Sequence, residues 1–425
     1  MMSFTMNAGG LSMDVAALRK ATPSLPGLAH FNAASSGLLS SEVVEALQFH
    51  LGEEIRTSSH AAGLAAAEKI ENARDEIAWL IGATAPQISF MSSNSEAWNL
   101  AVLSLPRLRP GDRVLVGGGE WGGNILTLAQ ECAAVGARLG RIPELPDGRM
   151  DLSGLEEMMD DRLRLIAVTW IGAHLGHAVP VERIGRLARA AGVPFVVDAA
   201  QAAGVLPIDV NRIGCDILTA SGRKGLRGPK GSGFLYVREG ALEQMVPRPM
   251  NLRAASLVAG EVVQRRDGGR FEASEYAPAL RLGLGAAVRL ANQLGARAIA
   301  ARMLERTTRL RAALAEVPGL VLRETGPAES HITTFHMPEI TPAQVQLALA
   351  RRDVTITTVN TSYAPFCTLP MPQGSVCRAS VSYLTDDAEI TRLTEALCEI
   401  VAQHAKASGR RARLMAQGQA GRSGA

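Results

Sequence analysis

The chain has 425 residues, of which 47% are hydrophobic and 20% are charged, so it is long enough to form two packed cores in a globular protein. Its 44 basic residues nearly balance its 41 acidic residues, and a net charge of +3 excludes the strong positive field that favours nucleic acid or an acidic membrane surface. We therefore expect neither a nucleic-acid partner nor a membrane partner.

The cysteines and the start of the chain indicate where the protein works. Its five cysteines are scattered, without the paired spacing of a zinc site or a disulfide framework, so no metal is expected. The first residues lack the apolar core of a signal peptide, and no uncharged apolar run reaches the roughly 18 residues of a membrane span. These features predict a cytoplasmic protein.

From about residue 67 the sequence alternates between helical and strand-like segments. Ala67 to Ile81 has helical periodicity, and a series of apolar strand candidates follows, with helical stretches between most of them. Because these strands are apolar on both faces, they predict an α/β fold with a mostly parallel sheet flanked by helices. Ligands of such sheets bind beyond the carboxyl ends of the strands. The strand candidates are Gln87–Met91, Arg113–Val116, Ala137–Ile142, Leu163–Trp170, Val193–Val197, Asp216–Ala220 and Gly233–Val237.

A smaller C-terminal α+β domain is predicted after about residue 266. A long helical pattern extends from Pro278 to Val317, and short strands follow near Val321, at His331–His336 and at Val376–Tyr383. The last residues are polar and basic without apolar periodicity, which is typical of a disordered tail. The predicted organisation is an N-terminal segment (1–27), a large domain (28–265), a small domain (266–405) and a disordered tail (406–425).

Two of the apolar strands are followed by short runs of polar and charged residues. The segment VPFVVDAAQ places Asp198 and Gln201 after one strand, and CDILTASGRKGLRGPKGSGFLYV places Ser221, Arg223 and Lys224 after the next. Such residues suit pyridoxal 5'-phosphate, a cofactor that needs a lysine for its Schiff base and a carboxylate beside its pyridine nitrogen. Taken singly, Asp198 is better explained as a helix cap and Lys224 as a solvated loop residue. Together, the two residues favour the cofactor.

These residues belong to a longer series of motifs between Phe31 and Leu397. In chain order the motifs are FNAASSG, SSNSEAWNLA, EWGGN, VDAAQ, SGRKGLRGPKGSGFLYV, RFEAS and VCRASVSYL. In this order and spacing the chain resembles the class V family of pyridoxal-phosphate enzymes, which includes cysteine desulfurases, selenocysteine lyases, isopenicillin N epimerase and related carbon-sulfur lyases. The resemblance implies the fold type I of pyridoxal-phosphate-dependent transferases and a homodimer that builds its sites across two subunits.

The resemblance also implies a set of cofactor contacts. Asn94 and Ser95 would hold the phosphate, at a helix start where free N–H groups and the helix dipole independently favour an anion. Trp121 stands where the family places an aromatic side chain, often histidine, on the pyridine ring. The remaining contacts are Gln201 at the 3'-oxygen, Ser221 and Arg223 on the phosphate side, Asp198 at the ring nitrogen and Lys224 in the Schiff base.

Arg378 matches the arginine with which the family grips the substrate α-carboxylate, a task that suits the forked donors of a guanidinium. Asn32 would line the same end of the site. Without the family, Arg378 is equally well explained as a surface charge on an edge strand. The implied substrate is a small amino acid.

Departures from the family's motifs bear on the reaction. The loop TTVNTSYAPFC places about Ser362 where desulfurases carry the cysteine that receives sulfur, and Cys367 follows a few residues later. Without a thiolate there, persulfide formation is disfavoured. Ser274 and Glu275 replace the Gly-Thr pair whose threonine reaches the partner subunit's phosphate, so this contact between subunits is either lost or made instead by Ser274.

These departures favour a β-eliminating carbon-sulfur lyase that resembles the hercynylcysteine sulfoxide lyase-like branch of the family. An aminotransferase or an epimerase remains an alternative, because both share every step up to the carbanion. A catalytically silent relative is a further alternative, and the intact pair of Lys224 and Asp198 argues against it.

Overall fold

A computed structural model describes residues 13–248 and 250–420 of the chain. Helices and strands alternate along the sequence. The helices are α1 (Val15–Lys20), α2 (Ser41–Arg56), α3 (Ser59–Ala65), α4 (Ala67–Ile81), α5 (Asn94–Leu103), α6 (Gly122–Val135), α7 (Leu152–Glu157), α8 (Val181–Ala190), α9 (Val210–Ile213), α10 (Glu239–Leu242), α11 (Pro278–Leu294), α12 (Ala296–Ala315), α13 (Pro342–Ala350) and α14 (Asp387–Ala420). In the part of the chain described, no helix combines the length and the apolar character that crossing a bilayer demands.

The strands form two principal sheets and two strand pairs. They are β1 (Ala29–His30), β2 (Ile88–Met91), β3 (Arg113–Val116), β4 (Arg138–Arg141), β5 (Leu163–Thr169), β6 (Phe195–Asp198), β7 (Ile217–Ser221), β8 (Gly233–Val237), β9 (Ala255–Val258), β10 (Glu261–Gln264), β11 (Val321–Leu322), β12 (Ile332–His336), β13 (Val354–Thr355), β14 (Thr357–Asn360) and β15 (Ser375–Ser380).

The larger sheet has seven strands in the order β2-β8-β7-β6-β5-β3-β4. Strands β4, β3, β5, β6 and β7 are parallel, whereas β8 is antiparallel to β7 and β2 is antiparallel to β8. In β5, Ile166 and Val168 pack into a core shared with α4, α8 and α11, while Leu165 and Ala167 pack into a core shared with α5 and α6. Both faces of the strand are buried because successive side chains point to opposite faces. The predicted α/β fold is confirmed.

The smaller sheet is antiparallel, in the order β11-β12-β15-β14. Its core joins Phe335 and Ala379 from the sheet to Leu314 of α12 and Leu397 of α14. Phe31 packs into the same core, and β1 pairs in parallel with β13. The start of the segment predicted to begin the large domain therefore packs with the smaller sheet.

The long helical pattern after Pro278 forms two helices that are separated at Gly295. This glycine adopts a φ of +81°, a conformation that side-chain-bearing residues rarely take. Helix α11 packs against α2 and α4, which flank the larger sheet. Helix α12, in contrast, also packs into the core of the smaller sheet. The domain boundary near residue 266 stays a prediction.

Helix α14 extends to Ala420 and so enters the segment 406–425 for which the sequence predicts disorder. Alanine, arginine, leucine, methionine and glutamine, which are good helix formers, fill much of this stretch. Residues 421–425 of the predicted tail, and residues 1–12 of the predicted N-terminal segment, lie outside the described residues.

A buried cluster of charges surrounds Glu272 of the RFEAS motif. Its fully buried carboxylate is paired with Arg74, Arg253 and Arg281, and it accepts a hydrogen bond from the backbone N–H of Phe90 at 3.1 Å. Burial alone would raise the pKa of Glu272, but the neighbouring guanidinium groups, led by Arg281 and Arg74, hold it below its usual value. The cluster connects α4, α11 and the loop before α11.

Replacing Glu272 with alanine is expected to lower the free energy of unfolding by about 3–5 kcal/mol, because buried guanidinium groups would lose their counter-charge. Urea denaturation followed by circular dichroism measures the loss. Glu131→Ala, at an exposed position of α6, is the matched control and should change the midpoint little. Equal midpoints for the two variants would contradict the prediction.

Candidate active site

The carboxyl ends of three adjacent parallel strands bring polar residues to one edge of the large sheet. Thr169 ends β5, Asp198 ends β6 and Ser221 ends β7. The register pairs Thr169 with Asp198, so these two residues are neighbours across the sheet. The edge faces the smaller sheet, which contributes Arg378 from β15.

Asp198 is held by three hydrogen bonds. Its Oδ2 accepts from the amides of Asn94 and Asn124, each at 2.9 Å, and its Oδ1 accepts from the backbone N–H of Ala200 at 2.8 Å. Asn94 is the first residue of α5, whose N-cap is Ser93. The predicted Asp198 and Asn94 therefore meet directly, and Asn124 joins them, although no role was predicted for this asparagine of the EWGGN motif.

Lys224 lies in the turn after β7, which packs tightly against the FNAASSG segment. The backbone N–H of Gly37 donates to the carbonyl of Arg223 at 2.7 Å, and a Cβ on Gly37 would lie 2.5 Å from the carbonyl oxygen of Lys224. Burial lowers the pKa of Lys224 to about 7; Asp198 opposes the shift, whereas Arg223 and Arg378 favour it. An uncharged amine is therefore well populated at neutral pH.

This pKa predicts how the reactivity of Lys224 depends on pH. The rate at which the apoprotein attaches pyridoxal 5'-phosphate covalently should rise with pH through about 7 and then level off, because only the neutral amine attacks an aldehyde. Absorbance measures the rate, and a free lysine side chain, with a pKa of about 10.4, is the control. A protein profile that still rises steeply above pH 9, like that of free lysine, would contradict the prediction.

The same shift links Lys224 to stability. Between about pH 7 and 10.5 the unfolded chain binds the proton that the folded chain has released. The contribution of Lys224 to stability therefore increases as the pH rises across that window.

Arg378 is 2% exposed and lies on β15, between β12 and β14, so it is not a surface charge on an edge strand. Its guanidinium donates to the carbonyl of Ala173 at 2.9 Å and to the hydroxyl of Ser35 at 2.6 Å. Burial lowers the pKa of Arg378 to about 10, which leaves it cationic at neutral pH. Its Nε has no hydrogen-bond partner among the described residues.

The other predicted residues occupy different parts of this site. Gln201 is buried and donates to the carbonyl of Ala34 at 2.9 Å. The backbone of Asn32 forms an isolated parallel β-bridge with Ser380 of β15. Ser95 is exposed in the first turn of α5, and Arg223 is half-buried beside Lys224.

Trp121 immediately precedes α6, and its backbone N–H donates to the Thr169 hydroxyl at 3.1 Å. Its ring meets the ring of Tyr363 edge to face, with centroids 5.0 Å apart. Tyr363 also lies close enough to act electrostatically on Arg378 and Arg223, and the sequence had given no role to it. The sequence feature that could have identified Tyr363 is that it is an aromatic residue in the loop after β14.

The loop after β14 packs against the start of α6. The Ser362 carbonyl would lie 2.0 Å from a Cβ on Gly122, so only glycine allows this approach. The exposed Ser362 hydroxyl donates to Asn360 at 2.6 Å. Cys367 is half-buried, and burial and the nearby Glu144 raise the pKa of its thiol.

Ser274 is exposed and donates to the side chain of Asn251 at 2.9 Å. Glu275 is exposed beside it. The two predicted alternatives, loss of the contact with the partner subunit or a contact made by Ser274, stay predictions.

Several buried polar atoms of the site lack a hydrogen-bond partner among the described residues. They are Oδ1 of Asn32, Oδ1 of Asn94, Oε1 of Gln201 and Nε of Arg378. Buried polar atoms in proteins are nearly always paired, so this group indicates room for a polar ligand. A desolvated lysine, an aspartate and the N-terminus of α5 suit the aldehyde, pyridine nitrogen and phosphate of pyridoxal 5'-phosphate.

Known proteins share both the sequence and the fold. Residues 29–393 match the family described as aminotransferase class-V. A cysteine desulfurase of Serratia proteamaculans is 32% identical over 387 residues, covering 88% of this chain and 93% of the relative. A cysteine desulfurase of Escherichia coli O127:H6 is 30% identical over 410 residues, covering 93% and 98%.

Solved structures resemble the chain at lower identity. An apo cysteine desulfurase from Thermococcus onnurineus has a TM-score of 0.84 at 24% identity and covers 92% of this chain and 99% of its own. The cystine C-S lyase C-DES, in complex with its product cysteine persulfide, has a TM-score of 0.80 at 23% identity, with coverages of 89% and 99%. The family match and the identities of 30% or more establish an enzyme that uses pyridoxal 5'-phosphate. The chain belongs to the class V aminotransferase family.

Proposed function

We propose that this chain is a carbon-sulfur lyase that cleaves a cysteine-derived amino acid by β-elimination, without forming a persulfide on the enzyme. The loop after β14 carries this proposal. By its resemblance to the family, the sequence has a serine, at about Ser362, where desulfurases carry the sulfur-accepting cysteine, and burial and Glu144 make the thiol of Cys367 a poor source of thiolate.

Each residue of the site has a separate role in such a reaction. Arg378 binds the α-carboxylate of the substrate, and its Nε, which has no hydrogen-bond partner in the described part of the chain, can donate to it. Lys224 removes the α-proton at its neutral Nζ, as its lowered pKa permits. Asp198 would accept a hydrogen bond from the protonated pyridine nitrogen of the bound cofactor.

Pyridoxal 5'-phosphate, when bound, supplies an electron sink for the pair left at the α-carbon. Asn94 and Ser95 at the start of α5, with Ser221 and Arg223, would hold its phosphate. Gln201 would hold its 3'-oxygen, and Trp121 would cover its ring. Once the proton is on Lys224, the bond between Cβ and sulfur breaks with its electron pair on sulfur, and the three-carbon remainder hydrolyses to pyruvate and ammonia.

The names of the relatives support carbon-sulfur chemistry, since they include cysteine desulfurases and a cystine C-S lyase. Transamination and epimerisation are the second candidates, because removal of the α-proton by Lys224 is common to all three reactions. After that step a proton returns in transamination and in epimerisation, whereas in elimination the sulfur substituent leaves Cβ with the electron pair of the broken bond. The retained Lys224 and Asp198 disfavour a catalytically silent relative.

The proposal is tested by incubating the purified holoenzyme with a panel of S-substituted cysteines and their sulfoxides and, separately, with pairs of amino acids and keto acids. Pyruvate, ammonia and a free thiol or sulfenate in equal amounts are expected from at least one cysteine derivative. Stoichiometric conversion of the bound cofactor to its pyridoxamine form, without pyruvate, would contradict elimination and identify an aminotransferase.

Replacing Cys367 with serine is expected to leave turnover of a cysteine derivative unchanged, because no sulfur passes through this thiol. Pyruvate release measures turnover, and Cys398→Ser, at an exposed cysteine of α14, is the matched control. Loss of turnover in Cys367→Ser alone, together with a persulfide on Cys367 of the wild-type protein, would contradict a persulfide-free mechanism.

We also propose that the enzyme is a cytoplasmic homodimer. Apolar side chains on the β9–β10 hairpin support a partner surface, since Leu257 is 74% exposed and Val262 is 59% exposed. Light scattering should give twice the 44.9 kDa mass of the chain. A mass equal to one chain would contradict the dimer.

A further inference from the structure

A second buried carboxylate, Glu120, lies beside Asp198. It is fully buried in the turn between β3 and α6, and the EWGGN motif places it four residues before Asn124. Burial and the Asp198 carboxylate raise the pKa of Glu120 to about 8. Two acidic groups this close and this deep are costly, so their contacts need an explanation.

The two carboxylates share one amide. Nδ2 of Asn124 donates to Oε1 of Glu120 at 2.7 Å and to Oδ2 of Asp198 at 2.9 Å. An amide nitrogen carries two hydrogens, which is one for each carboxylate. With Glu120 in place, the amide has to present its nitrogen to Asp198. Without Glu120, it is free to turn its oxygen there.

Glu120 is itself fixed by Thr169 at the end of β5. The Thr169 hydroxyl donates to Oε1 at 2.9 Å, and the Thr169 backbone N–H donates to Oε2. The orientation of Asn124 is therefore set by the rigid sheet rather than by a loop.

The orientation of Asp198 follows from that of Asn124. Its Oδ2 is occupied by the amides of Asn94 and Asn124, whereas among the described residues Oδ1 accepts from the Ala200 backbone N–H alone. A carboxylate oxygen accepts two hydrogen bonds, so Oδ1 keeps one free site. That site suits the N–H of a protonated pyridine ring.

We propose that Glu120 is a positioning residue: by fixing the direction of the Asn124 amide, it holds the Asp198 carboxylate in the orientation that receives the ring N–H of pyridoxal 5'-phosphate. The inference depends on the cofactor and not on which bond of the substrate is broken.

The first test is Glu120→Gln, measured by the dissociation constant of pyridoxal 5'-phosphate and by the visible absorbance of the bound cofactor. Weakening of binding by about tenfold is expected, as for the loss of one hydrogen bond to a charged group, with a shifted absorbance maximum. A variant that melts earlier but keeps the wild-type cofactor affinity and spectrum would overturn the proposal, because that is the outcome of a purely structural role.

The second test is a double-mutant cycle with Asn124→Ala. If Glu120 acts through Asn124, Asn124→Ala alone reproduces the weaker binding and the shifted spectrum, and adding Glu120→Gln changes neither further. Additive effects, or a wild-type spectrum in Asn124→Ala, would overturn the proposal. A wild-type spectrum in Asn124→Ala would overturn the proposal even if Glu120→Gln did not fold.

Glu324→Gln is the matched control. Glu324 is also a buried carboxylate whose pKa is raised by burial, and it accepts hydrogen bonds from Thr334 and the backbone N–H of Gly176. This variant should lower stability but leave the absorbance of the bound cofactor unchanged. The same spectral shift in Glu324→Gln would overturn the proposal, because the shift would then reflect general loosening of the fold.

Discussion

Replacing Lys224 with alanine is expected to abolish covalent attachment of pyridoxal 5'-phosphate and to lower turnover by at least about 10²–10⁴-fold, the range for loss of a general base alone. Lys224 has a lowered pKa and lies near Asp198 and Arg378. Borohydride reduction followed by mass spectrometry measures attachment, and pyruvate release measures turnover.

Lys230→Ala is the matched control for Lys224→Ala. Lys230 lies six residues later in the same glycine-rich segment, but it is exposed. This variant should retain both the reducible cofactor linkage and turnover. Cofactor trapped by borohydride on Lys224→Ala protein would show that another amine forms the linkage, and the assignment of Lys224 would be wrong.

Replacing Arg378 with alanine is expected to raise KM for the amino-acid substrate by about 30-fold to several thousand-fold. Removing one partner of a buried, hydrogen-bonded charge pair costs about 2–5 kcal/mol, and about 1.4 kcal/mol corresponds to tenfold. Steady-state kinetics measure the change. Arg378→Lys should recover only part of it, because an ammonium lacks the planar fork that binds both carboxylate oxygens.

A substrate analogue provides a sharper readout of the role of Arg378. An amine that lacks the α-carboxylate should bind the wild-type protein and Arg378→Ala equally weakly, because it has no carboxylate to which the guanidinium can donate hydrogen bonds. Arg323→Ala is the control: its guanidinium donates to the carbonyls of His174 and Pro370, and its loss should leave KM nearly unchanged. If the carboxylate-free amine discriminates between the two proteins as strongly as the amino acid does, Arg378 does not bind the carboxylate.

Local patterns in the sequence predicted much of the large sheet. The predicted bounds of β3, β8 and α4 match the structure, because short apolar runs and a clear helical period are properties of the chain itself. The sequence also predicted the start of α11 and approximately the end of α12. It did not predict the break between them at Gly295 or the packing of α11 against α2 and α4. A helical period identifies a helix but not its partner.

The sequence by itself determined the fold class. It also predicted Lys224 and Asp198 as the lysine and aspartate of the cofactor site, and a serine at about position 362 in place of the sulfur-accepting cysteine; both stay predictions. These features depend on short apolar runs and on residues that directly follow them. Only the tertiary structure decided that Arg378 is buried, that Tyr363 meets Trp121, and that Asn124 connects Glu120 to Asp198. Each of these contacts joins residues on separate strands, helices or turns, and hydrogen bonding and desolvation depend on distances in space that no local pattern contains.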